Sequence, residues 1–295
     1  DYSLTINSGA KLTTAGFGIT TGVDLTNHGT LTATTSTITV GNNLTNGGVP
    51  AVFTTTSPSI ITITGGDFIN SGTFTPVGAT ITISSIVNGN FNNSGTFTAT
   101  NTVTRSTLKL SGDLINTGTI TSGGFNLTLS GTKATQSIAG FTTTGAVLME
   151  KTAGAATFMG NISAGALTIT GAGSLNLSTG THTFTGVWTQ SAGILDAGSS
   201  TLNLTATAPN VAITGGTFTA GTGTVAYNSA AVQTVAGLTY NNLTTSLAGV
   251  KTTGGDLIVG GNLSVVSGTF TVAAHNITVN GTTTVTGALT HSSST

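Results

Sequence analysis

One phrase is written five times between residues 24 and 121, and its spacing restricts the folds open to this chain. Asn-x-Gly recurs at Asn27/Gly29, Asn46/Gly48, Asn70/Gly72, Asn93/Gly95 and Asn116/Gly118, in steps of 19, 24, 23 and 23 residues. Three positions before each Asn stands Asp24, Asn43, Asp67, Asn90 or Asp113. After four of the glycines comes Thr-apolar-Thr, at Thr30/Thr32, Thr73/Thr75, Thr96/Thr98 and Thr119/Thr121. A strict alternation then follows: TITV from Thr37, TITI from Thr80, TLKL from Thr107 and NLTL from Asn126. Alternation with a period of two puts every apolar residue on one side of an extended strand.

A unit of about 23 residues holding two or three short strands cannot bury its own apolar face. Stacked on copies of itself, it can. The expected fold is therefore all-β, a single continuous parallel β-solenoid of about a dozen coils. Phe68, Phe74, Ile81 and Ile83 point inward, and equivalent strands lie about 4.8 Å apart. The glycines at 29, 48, 72, 95 and 118 are expected at corners with positive φ. The asparagines at 27, 46, 70, 93 and 116 form a structural ladder beside them, bonding backbone locally or one another along the column.

Two stretches follow from the wording. Residues 1–135 hold the regular coils. Residues 136–295 are looser, with a super-repeat of 97 residues that pairs QSIAGF at Gln136 with QTVAGL at Gln233. The four prolines, at 50, 58, 76 and 209, fall in expected corners.

Composition narrows the function. Only 4% of the residues are charged and the net charge is −1, while Thr alone numbers 69 of 295. Nucleic acid needs clustered Lys and Arg, and the six basic residues here are scattered. No apolar run approaches the roughly 18 residues of a membrane span. The opening DYSLTINSGA has neither the basic nor the apolar region of a signal peptide. Without cysteine there is no disulfide and no thiolate metal site.

Catalytic chemistry finds little to use. Asp24, Asp67 and Asp113 share one column, but the coils bearing Asn43 and Asn90 separate them by roughly 9–10 Å. That is wide for a retaining glycosidase pair, near the outer limit for an inverting one, and wide for a single Ca²⁺. They are expected to bond backbone amides at the corner, with a calcium ladder at Asp24, Asp67 and Asp113 as the alternative. His28, His182, His275 and His291 share no ligand spacing and are expected on loops or outward strand positions. No G-x-S-x-G elbow or phosphate-binding glycine loop is present. The chain is not expected to be an enzyme, and no catalytic, metal or cofactor residue is assigned.

What remains is the Thr-apolar-Thr column. With Phe74 and Phe97 inward, Thr30, Thr32, Thr73, Thr75, Thr96, Thr98, Thr119 and Thr121 form two outward ranks of hydroxyls and methyls. At this motif the chain is similar to Thr-rich solenoids of ice-binding proteins. The same array suits glycan or another copy of the chain, and Thr is also simply a β-favouring residue that stays soluble without charge.

The Q-[ST]-[IV]-A-G phrases at Gln136 and Gln233 and the SGTFT…TITI coils at residues 71–83 resemble those of long bacterial surface and secreted β-solenoid proteins. These include autotransporter passenger regions and giant repeat adhesins. The resemblance implies an extracellular or cell-surface location and a filamentous role, and it transfers no catalytic residue. Neither terminal stretch shows a capping helix or a charge cluster, so open strand edges are expected at both ends. With little charge to hold copies apart, the expected partner is another copy, giving a homopolymeric fibre or sheath. An adhesin that binds glycan or another surface is the alternative.

Overall fold

The computed structural model describes residues 2–83, 89–99, 101–121 and 123–292. Asp1 lies outside them. The chain forms two compact units, Asp1–Ala156 and Thr157–Thr295. Both are all-β, and each is a stack of parallel coils with three strands to a coil. Pairing runs from each strand to the third strand after it, which is the connectivity of a parallel β-solenoid. Counted over the described residues, three strands to a coil gives 14 coils where about a dozen were expected.

In the first unit the register aligns the repeated phrases residue for residue. One column stacks Leu25, Leu44, Phe68, Phe91 and Leu114. A second stacks Leu12, Leu31, Phe53, Phe74, Phe97 and Ile120. A third stacks Ile38, Ile61, Ile81, Leu108, Leu127 and Val147. From Leu25 through Leu114 in the first column, Leu31 through Phe97 in the second and all of the third, these side chains are buried. Each fully buried one contributes about 1.5–3 kcal/mol. The aromatic members interlock, with ring centroids 4.9 Å apart for Phe53–Phe74, 5.7 Å for Phe74–Phe97 and 5.1 Å for Phe68–Phe91. Phe68 also meets Phe74 across the interior at 4.8 Å, so one aromatic seam joins two faces.

The glycine expectation needs correction. Of the five repeat glycines only Gly48 has positive φ, at 80°. Gly29, Gly72, Gly95 and Gly118 serve a different purpose. A Cβ on Gly95 would press on the carbonyl oxygen of Gly72, and one on Gly118 on that of Gly95. Gly72 and Gly29 meet the carbonyls of Ala51 and Ala10 in the same way. The chain passes directly over the preceding coil here, and only hydrogen fits between them.

The second unit keeps the plan with a different core. Its aromatics include Trp188, Phe184, Tyr227 and Tyr240, all buried. The column through Ile162–Ala164, Thr181–Phe184, Thr201–Leu204, Thr224–Asn228, Asn242–Ser246, Leu263–Val265 and Thr283–Val285 is one unbroken sheet. The other two are interrupted. The column ending at Val211–Ile213 is not hydrogen-bonded to Gln233–Val235 above it, and the column ending at Thr217–Thr219 is not bonded to Thr239–Tyr240. In the first unit Thr119–Thr121 and Phe141–Thr142 are separated in the same way.

These interruptions give the 97-residue super-repeat a physical meaning. The Gln of each Gln-[Ser/Thr]-[Ile/Val]-Ala-Gly phrase is fully buried in the coil above an interruption. Gln136 Nε2 donates to the carbonyls of Leu110 and Gly112. Gln233 Nε2 donates to Leu204 O and Ala206 O at 2.8 and 2.9 Å. A side-chain amide thus takes up carbonyls in the coil below. A buried lysine follows each: Lys151 Nζ lies 3.5 Å from Ser130 O, and Lys251 Nζ donates to Ser229 O and to Gly249 O at 2.9 Å.

Candidate functional site

The threonine face is the outer side of the first unit's second column. Register places two outward ranks there. One runs Lys11, Thr30, Val52, Thr73, Thr96, Thr119, and the other Thr13, Thr32, Thr54, Thr75, Thr98, Thr121. The eight threonines named from sequence therefore lie on one face. The second rank is an unbroken line of six, because Thr13 and Thr54 fill the coils the motif missed. The first rank is interrupted by Val52 and headed by Lys11. Neighbours within a rank are about 4.8 Å apart and the two ranks about 6.6 Å apart.

Ten of these twelve outward positions are Thr. The adjoining first column has the same backbone but a mixed outer surface, Thr5, Thr26, Thr45, Ile69, Asn92 and Ile115 in register. The third column also carries a threonine rank, Thr20, Thr39, Thr62, Thr82 and Thr128 with Lys109 before the last, but its other rank reads Thr37, Ile60, Thr80, Thr107 and Asn126, so eight of its eleven outward positions are Thr. β-propensity acts on all three columns alike, so it does not account for the difference between the second column and the mixed first one. Thr98 Oγ1 donates to Thr121 Oγ1 at 3.3 Å, so hydroxyls can pair along the rank. Beyond Lys11, no charged side chain stands in the two ranks.

Beneath this face runs the asparagine ladder. Asn27 Nδ2 donates to Asn46 Oδ1 (2.8 Å), Asn46 to Asn70 (2.8 Å), Asn70 to Asn93 (2.7 Å) and Asn93 to Asn116 (2.7 Å). Each Nδ2 spends its second hydrogen on a backbone carbonyl, Val52 O, Thr73 O, Thr96 O or Thr119 O. Those carbonyls belong to the threonine ranks of the next coil, so the ladder fixes the edge of the face. Asn27, Asn46, Asn70 and Asn93 are buried, and the ladder is structural.

The acidic column is a second ladder. Asp24 Oδ1 accepts from Asn43 N, Asn43 Oδ1 from Asp67 N, Asp67 Oδ1 from Asn90 N, Asn90 Oδ1 from Asp113 N and Asp113 Oδ1 from Ser137 N, all at 2.7–2.9 Å. The same device recurs in the second unit, where Asn161, Asn210, Asn242, Asp256 and Asn262 each accept the amide of a residue one coil on. Asp67 also takes the side-chain amide of Asn92, and Asp113 is paired with Lys133 at 2.7 Å. Among the described residues no three His, Asp or Glu side chains gather as a metal site.

One histidine departs from expectation. His28 and His291 are exposed and His275 is half-exposed, but His182 is fully buried. It occupies an inward position in register with Ile162 and Leu202, and Nε2 lies 2.8 Å from Leu177 O. Burial holds its pKa below the usual histidine value, opposed by its contacts with the Leu177 and Thr179 carbonyls. The alternation T-H-T-F, which puts His182 on the same side as the inward Phe184, is the sequence signal for its burial. No family model, curated protein or solved structure matches the chain.

Proposed function

We propose that the chain is a structural protein whose threonine faces pack against one another, side by side, in an extracellular fibre or sheath. The observation that carries this is the density of Thr on the second column of the first unit, ten of twelve outward positions with one rank unbroken, while the first column is mixed and the third is broken by Ile60, Lys109 and Asn126. A flat array of methyls and hydroxyls at the strand spacing is complementary to itself. Methyls of one copy fit between those of another, and hydroxyls pair across or through water. The near absence of charge removes the repulsion that normally keeps such surfaces apart. End-to-end stacking of coils belongs to the same proposal, but the side-by-side mode is the one a described face supports.

The test is a concentration series of the purified chain by sedimentation velocity and negative-stain microscopy, alongside Thr75→Lys/Thr98→Lys. Ordered lateral assemblies that the double variant loses are expected, and the variant keeps its far-ultraviolet spectrum because both positions point outward. Single molecules at all concentrations would overturn the proposal. Saturable binding to a glycan array by such single molecules would make the chain an adhesin. Thermal hysteresis abolished by Thr73→Tyr would make the face an ice binder.

A further inference from the structure

The second unit contains a cleft that the coil plan does not require. It lies where Val211–Ile213 and Gln233–Val235 fail to pair, has a volume of about 330 Å³, and is lined by Val211, Ile213, Thr234, Ala236, Gly237, Leu238 and Gly254. None of these is charged. The two sides of the gap are not equivalent.

The upper side is sealed by side chains. The Asn210 carboxamide accepts from Thr234 N at 2.8 Å and donates to Thr234 O at 3.0 Å, standing in for the missing strand. Tyr227 Oη accepts from Ala236 N at 3.0 Å, and Tyr240 Oη donates to Ala236 O at 2.6 Å. The two hydroxyls are themselves 2.9 Å apart and fully buried. The backbone of this strand has partners without any visitor.

The lower side is open. Trp188 N donates to Asn210 O, and Thr214 N donates to Gln190 O. In a parallel ladder the backbone groups alternate sides, so Ala212 shares the downward direction of Asn210 and Thr214. Val211 and Ile213 turn their amides and carbonyls upward, into the cleft, where no strand meets them. Their side chains are inward in register with Trp188 and Gln190, yet remain half-exposed. A simple stacking fault would leave both sides unpaired. Here one edge is closed by the two Asn210 corner bonds and by two tyrosine hydroxyl bonds found at no other described coil, and the other presents two donors, two acceptors and uncovered apolar surface.

We infer that this cleft binds an extended, uncharged peptide segment with apolar side chains at alternate positions, which adds as a strand to the Val211–Ile213 edge. Main-chain pairing with an exposed edge supplies affinity, and the pockets for alternate side chains supply selection. The small residues Ala236, Gly237 and Gly254 leave room for β-branched side chains over Val211 and Ile213.

The probe is a fluorescein-labelled, end-blocked peptide Ala-Thr-Ile-Thr-Ile-Ser, the chain's own alternation at residues 79–84, titrated into the full chain and followed by anisotropy. Saturable binding is expected. Two N-methylated versions, blocked at alternate amides in opposite registers, should differ: one loses affinity at least tenfold and the other stays within threefold of the parent. Ile213→Pro should weaken binding at least tenfold, because it deletes an amide that faces the cleft and no ladder bond. Leu238→Trp, which fills the cleft without touching the edge, should do the same. Absence of binding, equal binding of the two methylated peptides, or full binding to Leu238→Trp would each overturn the inference. So would displacement by a neutral oligosaccharide with no peptide binding.

Discussion

Removing one rung of the asparagine ladder tests whether side chains, as well as strands, hold the coils together. Asn70 has no exposed surface, accepts from Asn46 Nδ2, and donates to both Asn93 Oδ1 and Thr96 O. Asn70→Ala deletes three bonds of which each is worth about 1 kcal/mol net. It also leaves Asn93 Oδ1 without the donor from Asn70, while Asn46 Nδ2 keeps Thr73 O. The expected loss is about 3 kcal/mol, or roughly two orders of magnitude at 1.4 kcal/mol per factor of ten.

In a stack where each coil touches only its neighbours, that loss is local. Hydrogen exchange read by mass spectrometry is the suitable assay, because one global midpoint averages over the stack. Amides of Phe68–Thr75 and Phe91–Thr98 should exchange about a hundredfold faster, and those of the second unit should not change. Asn116→Ala provides the scale. It accepts one ladder bond from Asn93 and its own donation, to Gly118 O, is long at 3.4 Å, so about 1 kcal/mol is expected. If Asn70→Ala and Asn116→Ala accelerate exchange by the same factor, the ladder contributes nothing beyond ordinary corner bonding and the reasoning fails.

Gly95→Ala should cost more than Gly48→Ala in thermal unfolding, since the first drives a methyl into the Gly72 carbonyl while the second meets nothing within 4 Å and bears only its positive-φ penalty of about 1 kcal/mol. Equal costs would remove the close-approach account of the repeat glycines. Phe74→Ala opens the aromatic seam between Phe53, Phe68 and Phe97 and should destabilise the first unit by about 3–5 kcal/mol, measured by the same exchange experiment. Burial depresses the pKa of Lys251 below 10.5, so the unfolded chain binds the proton more tightly. Stability of the second unit should therefore rise with pH from the depressed folded value up to 10.5, and Lys251→Met should flatten that rise.

The strands and their inward sides were legible because alternation survives any change of coil length. Phe68, Phe74, Ile81 and Ile83 are inward on alternation alone, and all four are buried. The ladder was legible for the same reason: Asn27 through Asn116 recur at one place in the phrase. Val52-Phe53-Thr54 and Lys11-Leu12-Thr13 were missed because they depart from Thr-x-Thr while keeping its register. The conformation of the repeat glycines was misjudged because a corner glycine has two possible causes, positive φ and contact with backbone, and spacing does not separate them. The interruptions at Gln136 and Gln233 were visible only as a change of wording. That a buried amide takes up carbonyls of the coil below depends on contacts between residues 24–29 apart in the chain.

The coils tolerate length changes that would ruin most sheets. Ladder partners in the first unit are 19, 24, 23 and 23 residues apart, and corner partners in the second unit are commonly 20. Register is nevertheless kept, because the strands are only two to five residues long and the surplus is accommodated at the corners. Folding therefore dictates the inward positions, the corner Asx residues and the glycines that pass over a carbonyl. It leaves the outward positions of every strand free. A free position that is filled the same way coil after coil calls for a cause outside folding. The second column of the first unit meets that description in both ranks but for Lys11 and Val52, the third column in one rank, and the first column only as far as Thr45. Exchanging the two outer surfaces, with Thr placed on the first column and its mixed residues on the second, should leave the fold intact and carry the association to the new face. Association that stays with the original face after the exchange would mean that backbone geometry, and not the threonine array, selects the contact.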